Sequence, residues 1–326
     1  MKALLSFFAP GGSKARLSIL IFHRVVASPD PLCRDLPDAA EFERCMRWIR
    51  DWFNVLPLEE AARRLACASL PPRPLAITFD DGYADNEAIA MPILLRLGLT
   101  ATIFVCPGFL DGGRMWNDDV IECIRAFEGL ELDLTALGLT RLRLGTDEDR
   151  ERAVDRILTA IKHLPIGERA ARVEEILALA GGRRGPELMM TRAQVARLHA
   201  AGMTIGGHTV NHPILTSLRT RAAMTEIAEG KEQLEEIVKE RISLFAYPNG
   251  VPGRDYAAEH VEMVRSCGFE CGVSTAWGVA TLGVDPLQLP RFTPWDRSKL
   301  RFGMHMLRNL ARTSFATVER SPNQLN

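Results

Sequence analysis

Short apolar runs alternate with helical patterns along most of the chain. The runs have the length and the β-branched or aromatic content of buried strands, at residues 17–25, 75–79, 100–106, 203–207, 244–247, 272–275 and 287–292. Apolar positions at helical spacing follow them, at 41–53, 58–65, 86–97, 191–200, 216–239 and 259–267. Strands that alternate with helices predict an α/β fold in which a parallel sheet closes as a barrel.

One stretch, residues 119–190, departs from this alternation. Helical patterns at 120–127, 148–163 and 168–179 flank a leucine-rich segment that reads equally as strand or loop. We therefore predict a helical insertion that shapes substrate access, with a structural lid and an oligomer contact as alternatives. The predicted organisation is an N-terminal segment (1–16), a barrel that includes the insertion (17–300) and a C-terminal tail (301–326).

Two adjacent carboxylates end the run at 75–79. Asp80 and Asp81 come directly after Phe79 and before Gly82. Ligands of parallel α/β folds bind at the carboxyl ends of strands. Two carboxylates side by side repel unless a cation or a proton lies between them. The sequence therefore predicts a metal at this strand end.

Two histidines follow another apolar run much later in the chain. His208 and His212 are four residues apart, which on a helical turn brings both imidazoles to one face. Alone, this spacing is more often coincidental. Together with the carboxylates of Asp80 and Asp81, it predicts a hydrolytic metal site made of two histidines and one carboxylate, with open positions for water.

Three motifs resemble those of a known family. Thr-Phe-Asp-Asp-Gly at 78–82, His-Thr-Val-Asn-His at 208–212 and Phe-Ala-Tyr-Pro-Asn-Gly at 245–250 have the order and spacing of polysaccharide deacetylases, the NodB-homology or carbohydrate esterase 4 group. The resemblance covers residues 17–295, and 19–24 are similar to the segment that opens the branch acting on poly-N-acetylglucosamine exopolysaccharides. It implies an irregular, TIM-like (β/α)7-type barrel of about seven strands rather than eight.

The resemblance also implies a reaction. A divalent ion, zinc or another transition metal, would be held by Asp81, His208 and His212, lower the pKa of its bound water and polarise an acetyl carbonyl. Asp80 would take the proton of the water, and a histidine would protonate the leaving amine. The expected enzyme is a hydrolase of carbon–nitrogen bonds other than peptide bonds, which removes N-acetyl groups from amino sugars of a polysaccharide or its precursor.

The sequence departs from the family pattern at two places. Ala246 stands where the third motif usually begins with an arginine that orients the base, so we expect Arg291 to take this role, the alternative being an ordinary surface cation. The usual C-terminal motif that supplies the acid is not recognisable, and His305 lacks its sequence context. The resemblance of residues 19–24 to the family's opening segment makes His23 a candidate catalytic residue, against the alternative of a histidine that is buried and hydrogen-bonded within the core.

A substrate groove is expected around the metal. The glycine-bearing loop after the run at 100–106 carries Trp116, on which a sugar ring could stack, although the side chain could equally pack under the insertion. The residues expected to bind substrate are Tyr83, Trp116, Asn117, Tyr247, Pro248, Asn249 and Gly250.

Composition narrows the class of protein. The chain of 326 residues is 47% hydrophobic and 25% charged, enough to bury a full core. Its 40 basic and 41 acidic residues give a net charge of −1, which favours neither a nucleic-acid partner nor an anionic membrane. An N-acetylated carbohydrate is the expected partner, and the oligomeric state is left open.

Cysteines and the first residues bear on location. Seven cysteines without a Cys-x-x-Cys pair predict reduced thiols and a cytoplasmic protein. The apolar run at 3–9 is too short for a signal core or a membrane span, so no integral membrane segment is expected. Residues 4–8 could instead lie on a membrane surface, as a peripheral contact.

Two other functions stay open at this stage. One is a barrel that binds metal or carbohydrate with weak turnover, although a binding module would need Asp81 and not Asp80. The other is a hydrolase of a small or lipid-linked N-acyl sugar.

Overall fold

A ring of short parallel strands forms the centre of the protein, in a computed structural model that describes residues 1–293 and 296–319. The strands are β1 (Ser18–Phe22), β2 (Asn54–Val55), β3 (Pro74–Phe79), β4 (Thr102–Val105), β5 (Glu131–Asp133), β6 (Arg141–Arg143), β7 (Thr204–Gly207), β8 (Leu244–Ala246) and β9 (Cys271–Val273). The helices are α1 (Lys2–Phe8), α2 (Ala39–Trp52), α3 (Leu58–Ala66), α4 (Met91–Arg96), α5 (Trp116–Ala126), α6 (Asp147–Ile161), α7 (Ile166–Leu179), α8 (Arg192–Ala200), α9 (Thr220–Val238), α10 (Ala258–Ser266) and α11 (Lys299–Leu310).

The main sheet has the strand order β1-β3-β4-β7-β8-β9, with β2 added beside β3, and all of its pairings are parallel. Every residue of β1 and β3 is buried, and the two strands pair in register from Ser18 with Leu75 to Phe22 with Phe79. Strands covered on both faces read as continuous apolar runs rather than alternating ones. This burial explains why the sequence located them.

The barrel closes through single bridges rather than through a further strand. Phe292 N–H donates to the Ile19 carbonyl of β1, while Leu289 N–H donates to the Gly272 carbonyl of β9. The strand predicted at 287–292 is therefore wrong: a 3-10 turn at Pro286–Gln288 leads into isolated bridges. Pro290 lacks the N–H that a continuous ladder requires. The predicted irregular (β/α)7-type barrel is confirmed, with this segment as its irregular part.

The insertion has a core of its own. Helices α5, α6 and α7 surround an antiparallel pair in which Leu132 of β5 lies opposite Leu142 of β6, both buried. At the end of the pair, Arg141 forms a salt bridge with Asp133. The leucine-rich segment that was ambiguous in sequence is thus a hairpin with one buried face.

The two ends of the chain pack together on one side of the barrel. Helix α11 buries Phe302, Met306 and Leu310, and α1 buries Leu5, all in the main hydrophobic core. The boundary predicted at residue 300 therefore falls within a helix, and residues 320–326 of the predicted tail lie outside the described residues. None of the described helices is long and apolar enough to cross a membrane. All seven cysteines are free thiols.

Candidate metal centre and active site

The chain turns sharply where β3 ends. Asp81 has a φ of 77°, a left-handed conformation, and Gly82 follows with a φ of 89°. A Cβ at residue 82 would approach Val105 Cγ1 to 3.0 Å, so glycine gives both the conformation and the space. The turn leaves Asp80 and Asp81 buried side by side at the carboxyl end of the strand.

The histidines lie on a loop. The predicted helical turn at 208–212 is wrong, because Thr209 and His212 have φ values of 64° and 52°. The loop brings the His208 and His212 rings together in another way, with centroids 4.8 Å apart. The Thr209 hydroxyl accepts a hydrogen bond from His212 N–H at 3.1 Å and so closes the loop.

A carboxylate from α9 holds the same loop from outside. Glu226 accepts hydrogen bonds from the backbone N–H groups of Val210 and Asn211 at 2.9 and 2.8 Å, and a third from the Asn211 side-chain amide. These bonds satisfy donors that a helix would have used internally. The histidine spacing is thus fixed by side-chain contacts from a neighbouring helix.

Three groups converge with the arrangement of a metal site. Asp81 Oδ1 lies 3.5 Å from His208 Nε2 and 3.4 Å from His212 Nε2. The ligand atoms of the three residues lie within 4.8 Å of one another. Asp81 Oδ1 is buried without a hydrogen-bond partner in the structure. An oxygen and two ring nitrogens at this spacing fit a divalent ion such as zinc.

A backbone carbonyl orients one imidazole. His208 Nδ1 lies 2.7 Å from the Ala246 carbonyl oxygen, so this nitrogen donates its proton and the Nε2 lone pair faces Asp81. Ala246, which stands where the family motif has an arginine, thus orients the candidate ligand His208 through its backbone carbonyl.

The electrostatics of the centre favour a cation. Burial opposes the charge of Asp81, but His212 and His208 hold the pKa of its carboxyl below the usual range. Burial, together with the neighbouring His208, lowers the pKa of His212 to about 4, so its imidazole is neutral near pH 7. A neutral imidazole is the form that binds metal.

Arg291 holds Asp80 with two hydrogen bonds. Its Nη1 and Nη2 lie 2.6 and 2.7 Å from the two carboxylate oxygens, and its Nε donates to the Ser274 carbonyl. Nη1 also contacts Thr78 Oγ1, which in turn donates to the Leu20 carbonyl. Burial opposes ionisation, yet Arg291 keeps the pKa of Asp80 below its ordinary value. The predicted pairing of Arg291 with Asp80 is present.

His23 lies just beyond β1 and is exposed. It is therefore not a buried histidine that forms its hydrogen bonds within the core. Its backbone carbonyl accepts a hydrogen bond from the Asn86 side chain at 2.9 Å. After burial and the nearer cations, its charge also contributes to lowering the pKa of Asp80 and Asp81. Asp80 N–H donates to the carbonyl of Phe22 at 2.9 Å, so the exposed His23 follows a residue that is bonded directly to the Asp80 backbone.

The residues predicted on the Trp116 side of the groove contact the insertion. The Trp116 ring is half-buried against the insertion core, with the Arg169 guanidinium 4.9 Å from its centroid. Tyr83 is buried, and its hydroxyl lies 3.3 Å from Asp118 Oδ1. The Asn117 amide donates to the same oxygen at 3.4 Å. For Trp116, these contacts favour packing under the insertion.

Tyr247 lies inside the barrel. Its side chain is fully buried and stacks on Tyr256 with ring centroids 3.9 Å apart, so it cannot form the predicted groove wall. Sequence period alone does not tell which way a strand-end side chain points. Pro248 is also buried, whereas the turn at Asn249 and Gly250, both with positive φ, is fixed by hydrogen bonds from Thr275 to their carbonyls.

Sequence reasoning missed two carboxylates near this site. Asp85 precedes the helical turn at Asn86–Ala90 without capping it, and its side chain accepts hydrogen bonds from Arg24 Nε at 2.8 Å and Val25 N–H at 3.2 Å. Asp118 is buried in the first turn of α5, with Oδ2 lacking a hydrogen-bond partner. Burial raises the pKa of Asp118 to about 7. An aspartate near a helix start is common, so no sequence signal distinguished it.

We expect Asp118→Asn to stabilise the protein at pH 8. The raised pKa means that the folded state holds the proton of Asp118 more tightly than the unfolded chain does. The contribution of Asp118 to stability is therefore fully present below pH ~4 and is lost as the pH rises through about 7. Asparagine cannot ionise, so Asp118→Asn should raise the free energy of unfolding by roughly 1–3 kcal/mol at pH 8. Urea unfolding at pH 5 and pH 8 measures it. The exposed Asp155→Asn is the control, and equal destabilisation by Asp118→Asn at both pH values would contradict the assignment.

Comparison with known proteins places the chain in a family. The sequence profile described as polysaccharide deacetylase matches residues 68–272. The chain belongs to the polysaccharide deacetylase family. It is thus a hydrolase that acts on carbon–nitrogen bonds other than peptide bonds. His23 and Arg291 lie outside the matched range, so their positions rest on the structure.

Individual relatives agree with the family. YxkH of Bacillus subtilis, itself assigned to the polysaccharide deacetylases, is 23% identical over 269 residues, which cover 82% of this chain and 67% of YxkH. The Streptococcus pyogenes deacetylase PplD, in complex with acetate, has a TM-score of 0.61 at 20% identity, covering 90% of this chain and 98% of that one. IcaB from Ammonifex degensii has a TM-score of 0.59 at 18% identity, covering 91% and 97%. These structures show the same fold.

Proposed function

We propose that this polysaccharide deacetylase is metal-dependent and removes N-acetyl groups from amino-sugar residues of a polysaccharide or its precursor. The observation that carries the proposal is the buried, unpartnered Asp81 Oδ1 facing Nε2 of both His208 and His212. Zinc is the ion that this donor set suits best, with other divalent transition metals as alternatives. When bound, such an ion supplies Lewis-acid activation of water and of the acetyl carbonyl.

Asp80 acts as the general base in this proposal. Arg291 uses two parallel hydrogen bonds to fix the carboxylate plane and keep the group ionised. The lone pairs that Arg291 does not use can accept a proton from water near Asp81. Asp80 Oδ2 lies 4.0 Å from His208 Nε2, so the base stands beside the metal ligands without joining them.

His23 is the proton donor. An amine leaves as a neutral group only if its nitrogen gains a proton, so the site needs an acid facing the substrate. His23 is exposed and follows Phe22, whose carbonyl accepts a hydrogen bond from Asp80 N–H. His305, the other candidate considered from sequence, lies on α11 and pairs with Asp296.

Release of acetate from a panel of substrates tests the function. The panel contains N-acetylglucosamine oligosaccharides, nucleotide sugars, lipid-linked sugars and O-acetylated xylan, each assayed after chelation and with zinc, cobalt or nickel restored. We expect acetate only from N-acetylated sugars and only with metal. Release that survives chelation would overturn metal dependence, and release from xylan alone would overturn N-deacetylation.

His23→Gln should separate proton donation from the rest of the reaction. On an N-acetylated oligosaccharide we expect turnover to fall about 100- to 10,000-fold, because the amine leaving group needs a proton. On an activated aryl acetate, whose leaving group needs none, the loss should be less than about tenfold. The exposed His163→Gln is the control. Equal losses on both substrates would show that His23 does not act as the acid.

A further inference from the structure

Helices α1 and α11 form one outer surface, although they come from opposite ends of the chain. A Cβ at Gly303 of α11 would overlap the side chain of Met1, so glycine permits the close approach. Beneath them, Leu5 and Phe302 are fully buried in the same core. The exposed residues of the two helices therefore share a rigid support. We call this surface the α1/α11 face, made of Lys2, Leu4, Phe7, Lys299, Leu300, Met304 and Arg308.

Large apolar side chains stand exposed on this face. The exposed fractions are 53% for Leu4, 79% for Phe7, 67% for Leu300 and 47% for Met304. A single exposed apolar residue needs no explanation, but a group on two neighbouring helices indicates an interaction surface. These side chains project into solvent instead of lining a cleft, which suits insertion into a fluid apolar phase.

The charged side chains of α1 and α11 are all basic. Neither residues 1–29 nor residues 297–318 contain an aspartate or a glutamate. Lys2, Lys299 and Arg308 are exposed and form no ion pair with any residue in the described part of the chain. The chain as a whole has a net charge of −1, so the excess of cations in these two segments is a local feature. Net charge alone had given no indication of an anionic partner.

We propose that the α1/α11 face docks on an anionic phospholipid bilayer. Exposed leucine, phenylalanine and methionine side chains would enter the boundary of the acyl chains, while the lysines and arginine would meet lipid phosphates. A second copy of this chain fits poorly, because a symmetric contact would place unpaired cations against cations. Nucleic acid would neutralise the cations but would leave the apolar side chains in water.

Vesicle flotation tests the docking surface. We expect the full chain to float with vesicles of phosphatidylcholine mixed with phosphatidylglycerol and not with phosphatidylcholine alone, and to be released by salt. Phe7→Ser/Leu300→Ser should lower the partition coefficient about tenfold or more, because two apolar anchors are lost. Lys299→Gln and Arg308→Gln should each lower it about fivefold on the anionic vesicles.

A matched control removes an exposed leucine elsewhere. Leu130 on the insertion is 72% exposed, and Leu130→Ser should leave vesicle binding unchanged. Acetate release from a soluble oligosaccharide should be the same in Phe7→Ser/Leu300→Ser as in the unmodified chain. Failure to float with anionic vesicles, or equal weakening by Leu130→Ser, would overturn the proposal. So would a dimer in light scattering that Phe7→Ser/Leu300→Ser converts to monomer, because a second copy would then cover the face.

Discussion

Replacing His208 or His212 with alanine should abolish metal retention and lower turnover at least about a thousandfold. Both Nε2 atoms lie about as far from Asp81 Oδ1 as two ligands of one ion, at 3.5 and 3.4 Å. Removing one leaves two protein ligands, too few to hold zinc firmly. Two measurements on the purified variants test this prediction: metal content by mass spectrometry, and release of acetate.

Asp80→Asn should give the opposite combination, with most metal retained and turnover lowered about 100- to 10,000-fold. The asparagine keeps the shape of the side chain but cannot take a proton from water. The exposed His163→Ala is the control for the histidine variants, because it removes the same group from the insertion. Full turnover in Asp80→Asn would remove Asp80 as the base, and normal metal content in His212→Ala would remove His212 as a ligand.

Arg291→Met should lower turnover roughly ten- to a thousandfold with little change in metal content. The guanidinium makes two hydrogen bonds to the Asp80 carboxylate, so its loss frees the base to rotate and favours its protonated form. Steady-state kinetics across pH measure this. We expect the acidic limb of the profile to move to higher pH, because Asp80 loses the cation that lowers its pKa.

Arg291→Met should also lower the stability of the fold, because it leaves the buried Asp80 carboxylate without its partner. Both side chains of the Arg291–Asp80 pair are almost fully buried, and removing one partner of such a pair costs about 3–5 kcal/mol. Asp80→Asn/Arg291→Met leaves no unpaired charge and should recover part of this stability without recovering activity. Urea unfolding of the two single variants and the double variant completes the cycle.

Arg254→Met is a matched control for Arg291→Met. Arg254 holds the buried Asp255 with two hydrogen bonds, at 2.9 and 3.0 Å, and has no recorded contact with the metal group. We expect it to lower stability and leave turnover near normal. If Arg291→Met also retained near-normal turnover, Arg291 would be a structural residue.

Sequence alone identified the centre of the candidate site because its determinants are local. Asp80 and Asp81 follow a buried strand directly, and His208 and His212 follow another. Parallel strands place their carboxyl ends at one edge, so strand order and motif spacing suffice to bring these four residues together. The same local patterns predicted most strands and helices of the barrel. They missed β2 and α11, and they were wrong at 208–212 and 287–292.

Other features depended on direction and on contacts between distant residues. The side chain of Tyr247 points into the barrel core. Asp118 is buried where the insertion packs. Arg291 could be proposed from sequence only as one of two readings, because it reaches Asp80 across 211 residues of chain.

The sequence by itself therefore determined the fold class and grouped Asp80, Asp81, His208 and His212 as a candidate site, since strand patterns and motif order specify them. Their roles as ligands and base follow from the family resemblance and stay predictions. Tertiary structure alone decided how the ring closes, which side chains face solvent, and that the acid-free segments 1–29 and 297–318 meet as α1 and α11. The physical reason is that burial and charge segregation depend on which elements become neighbours. The sequence periodicity of a single helix or strand does not predict which other elements it packs against.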